Sequence, residues 1–159
     1  MEPLASPGND LVQHLDAGTG PDAEIRSAGL RARLHTADSD RLGIMVITLA
    51  LSGLSGTTQA VALRERLIRL TGQVDYLSEP LQLVEHDPAR TGALLRSVEV
   101  RHIGPDREYF EIRVEKNRDT VFSRLRQPPG GSDRTQVPFL MARKTLARLV
   151  DDLATALDA

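Results

Sequence analysis

Three stretches of the sequence bring together residue types that can do chemistry. The first is Ser52-Gly53-Leu54-Ser55-Gly56-Thr57-Thr58, between an apolar run and a helical pattern. A loop so placed could aim backbone N–H groups at an anion, helped by the positive end of the helix dipole. Ser52, Gly53, Ser55, Gly56, Thr57 and Thr58 would form that anion-binding site, and an enzyme acting on a phosphorylated substrate would use it. The stretch has neither the GxxxxGK[ST] nor the GxGxxG pattern. A capped connection from strand to helix accounts for it as well.

The second candidate is histidine chemistry. His14, His35, His86 and His102 never pair at i, i+3 or i+4. Glu85-His86-Asp87 sets three ligand types side by side, but consecutive strand residues point to opposite faces. No metal site is expected from these residues. The chain has no cysteine, which removes disulfides, thiolate catalysis, zinc ribbons and iron–sulfur clusters together. Neither GxSxG nor SxxK occurs, so no catalytic residues are assigned and no cofactor is expected.

The third candidate is the hairpin Arg107–Arg126. Read as two strands, it offers Tyr109, Arg113, Lys116 and Arg118 beside Arg124 and Arg126, with Arg101 on the preceding strand. Guanidinium groups meet phosphates and an aromatic ring stacks a base, so these seven residues form the expected face for single-stranded nucleic acid. Glu108, Glu111, Glu115 and Asp119 are interleaved and would pair with the same arginines in a self-neutralising face. Charge distribution supports an anionic partner. Residues 1–95 hold 8 arginines and 12 acidic residues, whereas 96–148 hold 12 basic and 7 acidic ones, beneath a total of −2.

The elements that must position these residues follow from periodicity. Residues 1–22, with Pro3, Pro7, Gly8, Gly18, Gly20 and Pro21, read as a flexible N-terminal arm, and 23–159 as one α+β domain. Leu30, Ala32 and Leu34 alternate with Arg31, Arg33 and His35, which is a half-exposed strand. Ile44–Leu51 is apolar on both sides and suits a central strand covered on both faces. Ala60, Leu63, Leu67 and Leu70 mark an amphipathic helix over 58–71, capped by Thr57 or Thr58 and ended by Gly72. Strands follow at 81–85, 93–103, 108–116 and 120–126. A second amphipathic helix over 140–157 is marked by Ala142, Leu146, Leu149, Val150, Leu153 and Leu157. The order is ββα-ββββα, with about six mostly antiparallel strands and two helices.

The segment REYFEIRVEKNRDTVFSRL, the Pro-Gly loop after it, and VPFLMARKTLARLVDDLATAL resemble one repeat of the PUR-type single-stranded nucleic-acid-binding proteins. That family builds four strands and a helix per repeat, and the resemblance covers about residues 81–157. It implies binding roles for Tyr109, Phe110, Lys116, Asn117, Arg118 and Phe122.

Taken together, these residues lead to a non-enzymatic binding protein, with single-stranded nucleic acid as the first ligand. A protein-interaction module, such as a secretion-chaperone-like or scaffold dimer using Leu42–Leu51 and the helices, is the alternative. An enzyme built on the 52–58 loop is the third reading. A homodimer is expected, because amphipathic helices and strand edges need cover. The start MEPLASPGND is acidic with no apolar run, and the longest apolar stretch is too short to span a bilayer, so a cytoplasmic location without membrane contact is expected.

Overall fold

Alternating sequence becomes antiparallel sheet here, with one face covered by helices. The structure is a computed structural model and describes residues 6–27, 29–54, 60–87, 92–115, 117–131 and 133–157. In chain order the elements are α1 (Pro7–Ala17), β1 (Asp22–Ser27), β2 (Leu30–Ser39), β3 (Ile44–Ser52) and α2 (Ala60–Gln73). The remainder is β4 (Leu81–Asp87), β5 (Gly92–Ser97), β6 (Arg101–Ile103), β7 (Asp106–Val114), β8 (Thr120–Gln127), β9 (Thr135–Gln136), β10 (Phe139–Met141) and α3 (Arg143–Leu157). The class is α+β, as expected, but with ten strands and three helices among the described residues rather than about six and two.

The extra elements have local causes. Residues 7–17 are not an arm but a helix. Pro7 opens it, where a missing N–H costs nothing, and the Ser6 side chain accepts from the Asn9 N–H at 3.1 Å. Leu11, Val12 and Leu15, too few to stand out in the sequence, supply its buried stripe. The pattern beginning at Ile25 is two strands, with Ser27 opposite Leu30 and the reversal completed by Gly29 at a φ of 87°. Expected strand 93–103 is interrupted at residues 98–100, so β5 and β6 both lie along the same edge of β7. Helix α3 starts at Arg143 rather than 140, because Leu140 and Met141 pair with β3. Helix α2 runs past Gly72 to Gln73. Its expected start and its caps at Thr57 and Thr58 lie outside the described residues.

The strand order is β1-β2-β3-β8-β7-β5-β4, with every pairing antiparallel. Strands β3 and β8 pair through Thr48–Leu51 and Thr120–Ser123. Beyond that stretch β10 pairs the start of β3 and β9 pairs the end of β8. All three helices contribute to one buried cluster on a single face: Leu11 from α1, Leu67 from α2 and Leu149 from α3 meet Leu34, Leu49 and Phe122 of the sheet. Phe110, Phe122 and Phe139 form its aromatic centre, with ring centroids 5.1–5.6 Å apart.

Strand β3 therefore differs from expectation in one respect that matters. It is central in the sheet but, among the described residues, covered on one face only: Met45, Thr48 and Ala50 stay half-buried on the other, and half-buried Ile47 sits unpaired at a register irregularity between β2 and β3. Its apolar residues on the second side line an open sheet surface.

An open sheet face with an arginine cluster

Strand register fixes which side chains share the uncovered face. Buried Leu34, Leu49, Phe122 and Ile112 define the helix side, so their chain neighbours point the other way. One row across the open face reads Glu24, Arg33, Ala50, Val121, Arg113, Leu94; the next includes Thr48, Ser123, Glu111 and Arg96. Arg33 and Arg113 thus flank a floor of small side chains. Three strand spacings separate them, roughly 14 Å. Arg33 is exposed and makes no ion pair among the described residues, and the Arg113 side chain is 48% exposed. Toward β10 the floor becomes apolar, because Leu140 lies opposite Met45 and is 64% exposed.

The electrostatic centre of this face is Glu111, whose side chain is 6% exposed. Its carboxylate accepts from Arg96 Nε at 3.0 Å, from an Arg113 terminal nitrogen at 3.2 Å and from an Arg134 terminal nitrogen at 3.1 Å. Three guanidiniums around one carboxylate leave two positive charges in excess. Arg134 arrives from the connection before β9 and also donates to the Tyr109 hydroxyl at 3.1 Å. That hydrogen bond, with the Glu111 charge beside it, holds the Arg134 guanidinium above its ordinary pKa although burial opposes it. Arg96 lies over the Tyr109 ring, 5.3 Å from its centroid. Beside the cluster is a cavity of about 320 Å³ lined by Arg113, Arg134, Ser123, Gln136, Val121 and Leu125, with Glu111 in its wall.

The residues expected on one nucleic-acid-binding face are divided by this register. Arg113 is on the open face. Tyr109 is too, but it is 4% exposed and clasped by Arg96 and Arg134, so its ring is not presented for stacking. Arg124 and Arg126 sit opposite Phe110 and Glu108 on the helix side. Buried Arg124 spans Glu79 at 2.8 Å and Glu108 at 3.1 Å, with its guanidinium 4.6 Å from the Phe110 centroid. Burial would push the Glu108 carboxyl up, but Arg126 and Arg124 outweigh it and hold it below the usual range. Burial likewise opposes charge on Arg124, and Glu79 and Glu108 restore it. The hairpin is self-neutralised here, on the helix side, where Arg124 and Glu108 are buried and Arg126 is partly exposed. A terminal nitrogen of Arg124 remains buried without an acceptor.

Arg118 is also structural. It adopts a φ of 71° in the β7–β8 turn, and its buried guanidinium donates to the Leu157 carbonyl at 3.1 Å, closing the C-terminal end of α3. Arg101 is exposed opposite Glu108. Phe110 and Phe122 are core residues, Asn117 is exposed at the turn and holds Asp119, and Lys116 lies outside the described residues.

For the 52–58 loop, only its start can be placed. Ser52 ends β3 opposite Arg31, and Gly53 has a φ of 76°. A Cβ on Gly53 would stand 2.0 Å from the Gly29 carbonyl oxygen, so this backbone packs on the β1–β2 reversal. Ser55, Gly56, Thr57 and Thr58 lie outside the described residues. Among the described residues, no group of three or more His, Asp or Glu side chains is placed to hold a metal ion, and no helix is long and apolar enough to cross a membrane.

Alternation in the sequence places Arg31, Arg33 and His35 outward but carries no sign that their strand shares a face with β8 and β7. Glu111 and Arg113 gave a signal through alternation along β7. Arg134 gave none, because it reaches the site from an irregular segment. Comparisons with family models, with curated proteins and with solved structures found no match for the chain.

Proposed function

We propose that this chain is a non-enzymatic interaction module whose open sheet face receives an acidic, amphipathic segment of a partner protein. The observation carrying this reading is the pairing of side-chain types on that face: exposed arginines beside aliphatic residues, with every ring of the arginine-bearing hairpin turned inward or clasped. Arg33 and Arg113 stand on either side of Ala50 and Val121, and Met45, Ile47 and Leu140 continue the apolar floor. A helix is about 10–12 Å across with its side chains, which fits a trough roughly 14 Å wide. Carboxylates along its flanks would meet the arginines while its apolar stripe covers the floor.

Single-stranded nucleic acid is the second reading, and the excess charge of the Arg96, Arg113 and Arg134 cluster favours it. Phosphates could engage those donors, but base stacking would lack an exposed ring, since Phe110, Phe122 and Phe139 fill the core and Tyr109 is covered. Selection from a displayed library of random peptides separates the readings. The wild-type chain should enrich sequences combining acidic and aliphatic residues, and Met45→Asp with Leu140→Asp should abolish that enrichment. Salt-sensitive binding of an oligothymidine without peptide enrichment would overturn the protein-partner reading in favour of nucleic acid.

A further inference from the structure

Within the open face, the cavity beside Glu111 has the features of a receptor for one functional group. We infer that it takes a single carboxylate-bearing side chain of the bound segment, a Glu or Asp, between Arg113 and Arg134. This assignment rests on the open-face reading and gives it a specificity element.

Donors remain for such a ligand. A guanidinium carries five N–H groups in a planar fork. Toward Glu111, Arg113 commits one terminal nitrogen; Arg134 commits one to both Glu111 and Tyr109. The remaining nitrogens of both groups make no hydrogen bond to a described residue, and both side chains line the cavity. Glu111 is what makes the arrangement stable when empty. Its buried carboxylate holds like charges together and fixes the forks at one height on the sheet, so little side-chain entropy is left to lose on binding. One incoming carboxylate would lower the local excess from two positive charges to one, and bidentate pairing suits its planar geometry.

The lining selects the rest of the group. Val121 and Leu125 form an aliphatic wall suited to methylenes, while Ser123 and Gln136 line the polar side; Gln136 is anchored by the Thr48 hydroxyl at 3.0 Å. A nucleotide would bring a sugar and a base, for which this cavity of about 320 Å³ offers no stacking surface.

The test uses one peptide enriched on the full chain, made again with each acidic residue replaced by its amide. Binding is measured by fluorescence anisotropy on wild-type, Arg113→Glu and Ser123→Leu chains. One acid-to-amide replacement should weaken binding at least about tenfold, and Arg113→Glu should remove that difference. Ser123→Leu extends into the cavity from its floor, where Ser123 is buried opposite Thr48 and Glu111, and removes no arginine, so it should reproduce the loss while a cooperative melting transition shows the chain still folded. Uniformly small effects of every amide replacement, with binding still abolished by Met45→Asp, would overturn the carboxylate receptor and leave the open-face reading standing. Failure to enrich any peptide would overturn both. Oligothymidine binding lost in Ser123→Leu would reassign the cavity to a phosphate.

Discussion

Replacing Gly8 with Ala gives a prediction whose sign distinguishes local propensity from tertiary packing. Alanine is the better helix former, by about 1 kcal/mol in a helix interior. Considered alone, α1 should gain. In the folded chain a Cβ on Gly8 would stand 1.9 Å from the Ala147 carbonyl oxygen and 2.7 Å from its Cα. Those are backbone atoms of α3 and cannot rotate away. The same close approach lets the Gly8 N–H donate to Asp151 Oδ1 at 2.8 Å, while the Ser6 hydroxyl donates to Oδ2 at 2.6 Å. Asp151 therefore closes the positive end of α1. Forcing the helices apart costs roughly 1–3 kcal/mol by analogy with overpacked cores. Full detachment would also expose Leu11, Val12 and Leu15, each worth about 1.5–3 kcal/mol. A net loss of about 1–3 kcal/mol is expected, lowering the melting temperature by several degrees for a chain of this size. Urea and thermal unfolding of Gly8→Ala beside Gly20→Ala provides the assay, because nothing lies within 4 Å of a Cβ on Gly20. Gly20→Ala should be near neutral. A Gly8→Ala chain more stable than wild type would refute the packing of α1 on α3.

Further predictions concern the charged cluster on the helix side. Arg124→Met leaves Glu79 and Glu108 without their shared cation, so unfolding should become easier by about 3–5 kcal/mol. Arg126→Ala, at a side chain 40% exposed, should cost under about 1 kcal/mol in the same urea titration. The Glu108 carboxyl titrates lower in the folded chain than in the unfolded one, so its contribution is full above the ordinary carboxylate pKa, near 4.3, and is lost as pH falls through the lowered folded value. The stability difference between wild type and Glu108→Gln should therefore be largest at neutral pH and shrink below about pH 4. A difference that grows on acidification would contradict the assigned pairing.

Alternation made much of the sheet legible. Leu30, Ala32 and Leu34 against Arg31, Arg33 and His35 gave β2 with its correct faces, and Phe110, Ile112 and Val114 gave the inward side of β7. Helix periodicity gave α2 and α3 because each has a long apolar stripe. Helix α1 was hidden: its buried stripe is short, and Pro7 and Gly8 read as breakers although one starts the helix and the other allows contact with α3. Sheet order was not legible at all, since it depends on β8 choosing β3 as its second neighbour. That choice places Arg33 and Arg113 on one surface. The division of the hairpin arginines was missed for a simpler reason. Arg124 shares a side with Phe122, two residues away, so period-two reasoning applied to β8 already places it facing the helices. Residue type alone points an arginine there to solvent, whereas its position in the alternation turns it inward.

The central claim is that an acidic protein segment lies across the open sheet face. Amide chemical-shift mapping of the isotope-labelled chain with one enriched peptide tests it most directly. The account predicts perturbations at Arg33, Met45, Ile47, Ala50, Val121 and Arg113, with little change along α1 and α3. Shifts confined to the helices, or to the helix-side cluster of Glu79, Glu108 and Arg124, would contradict it.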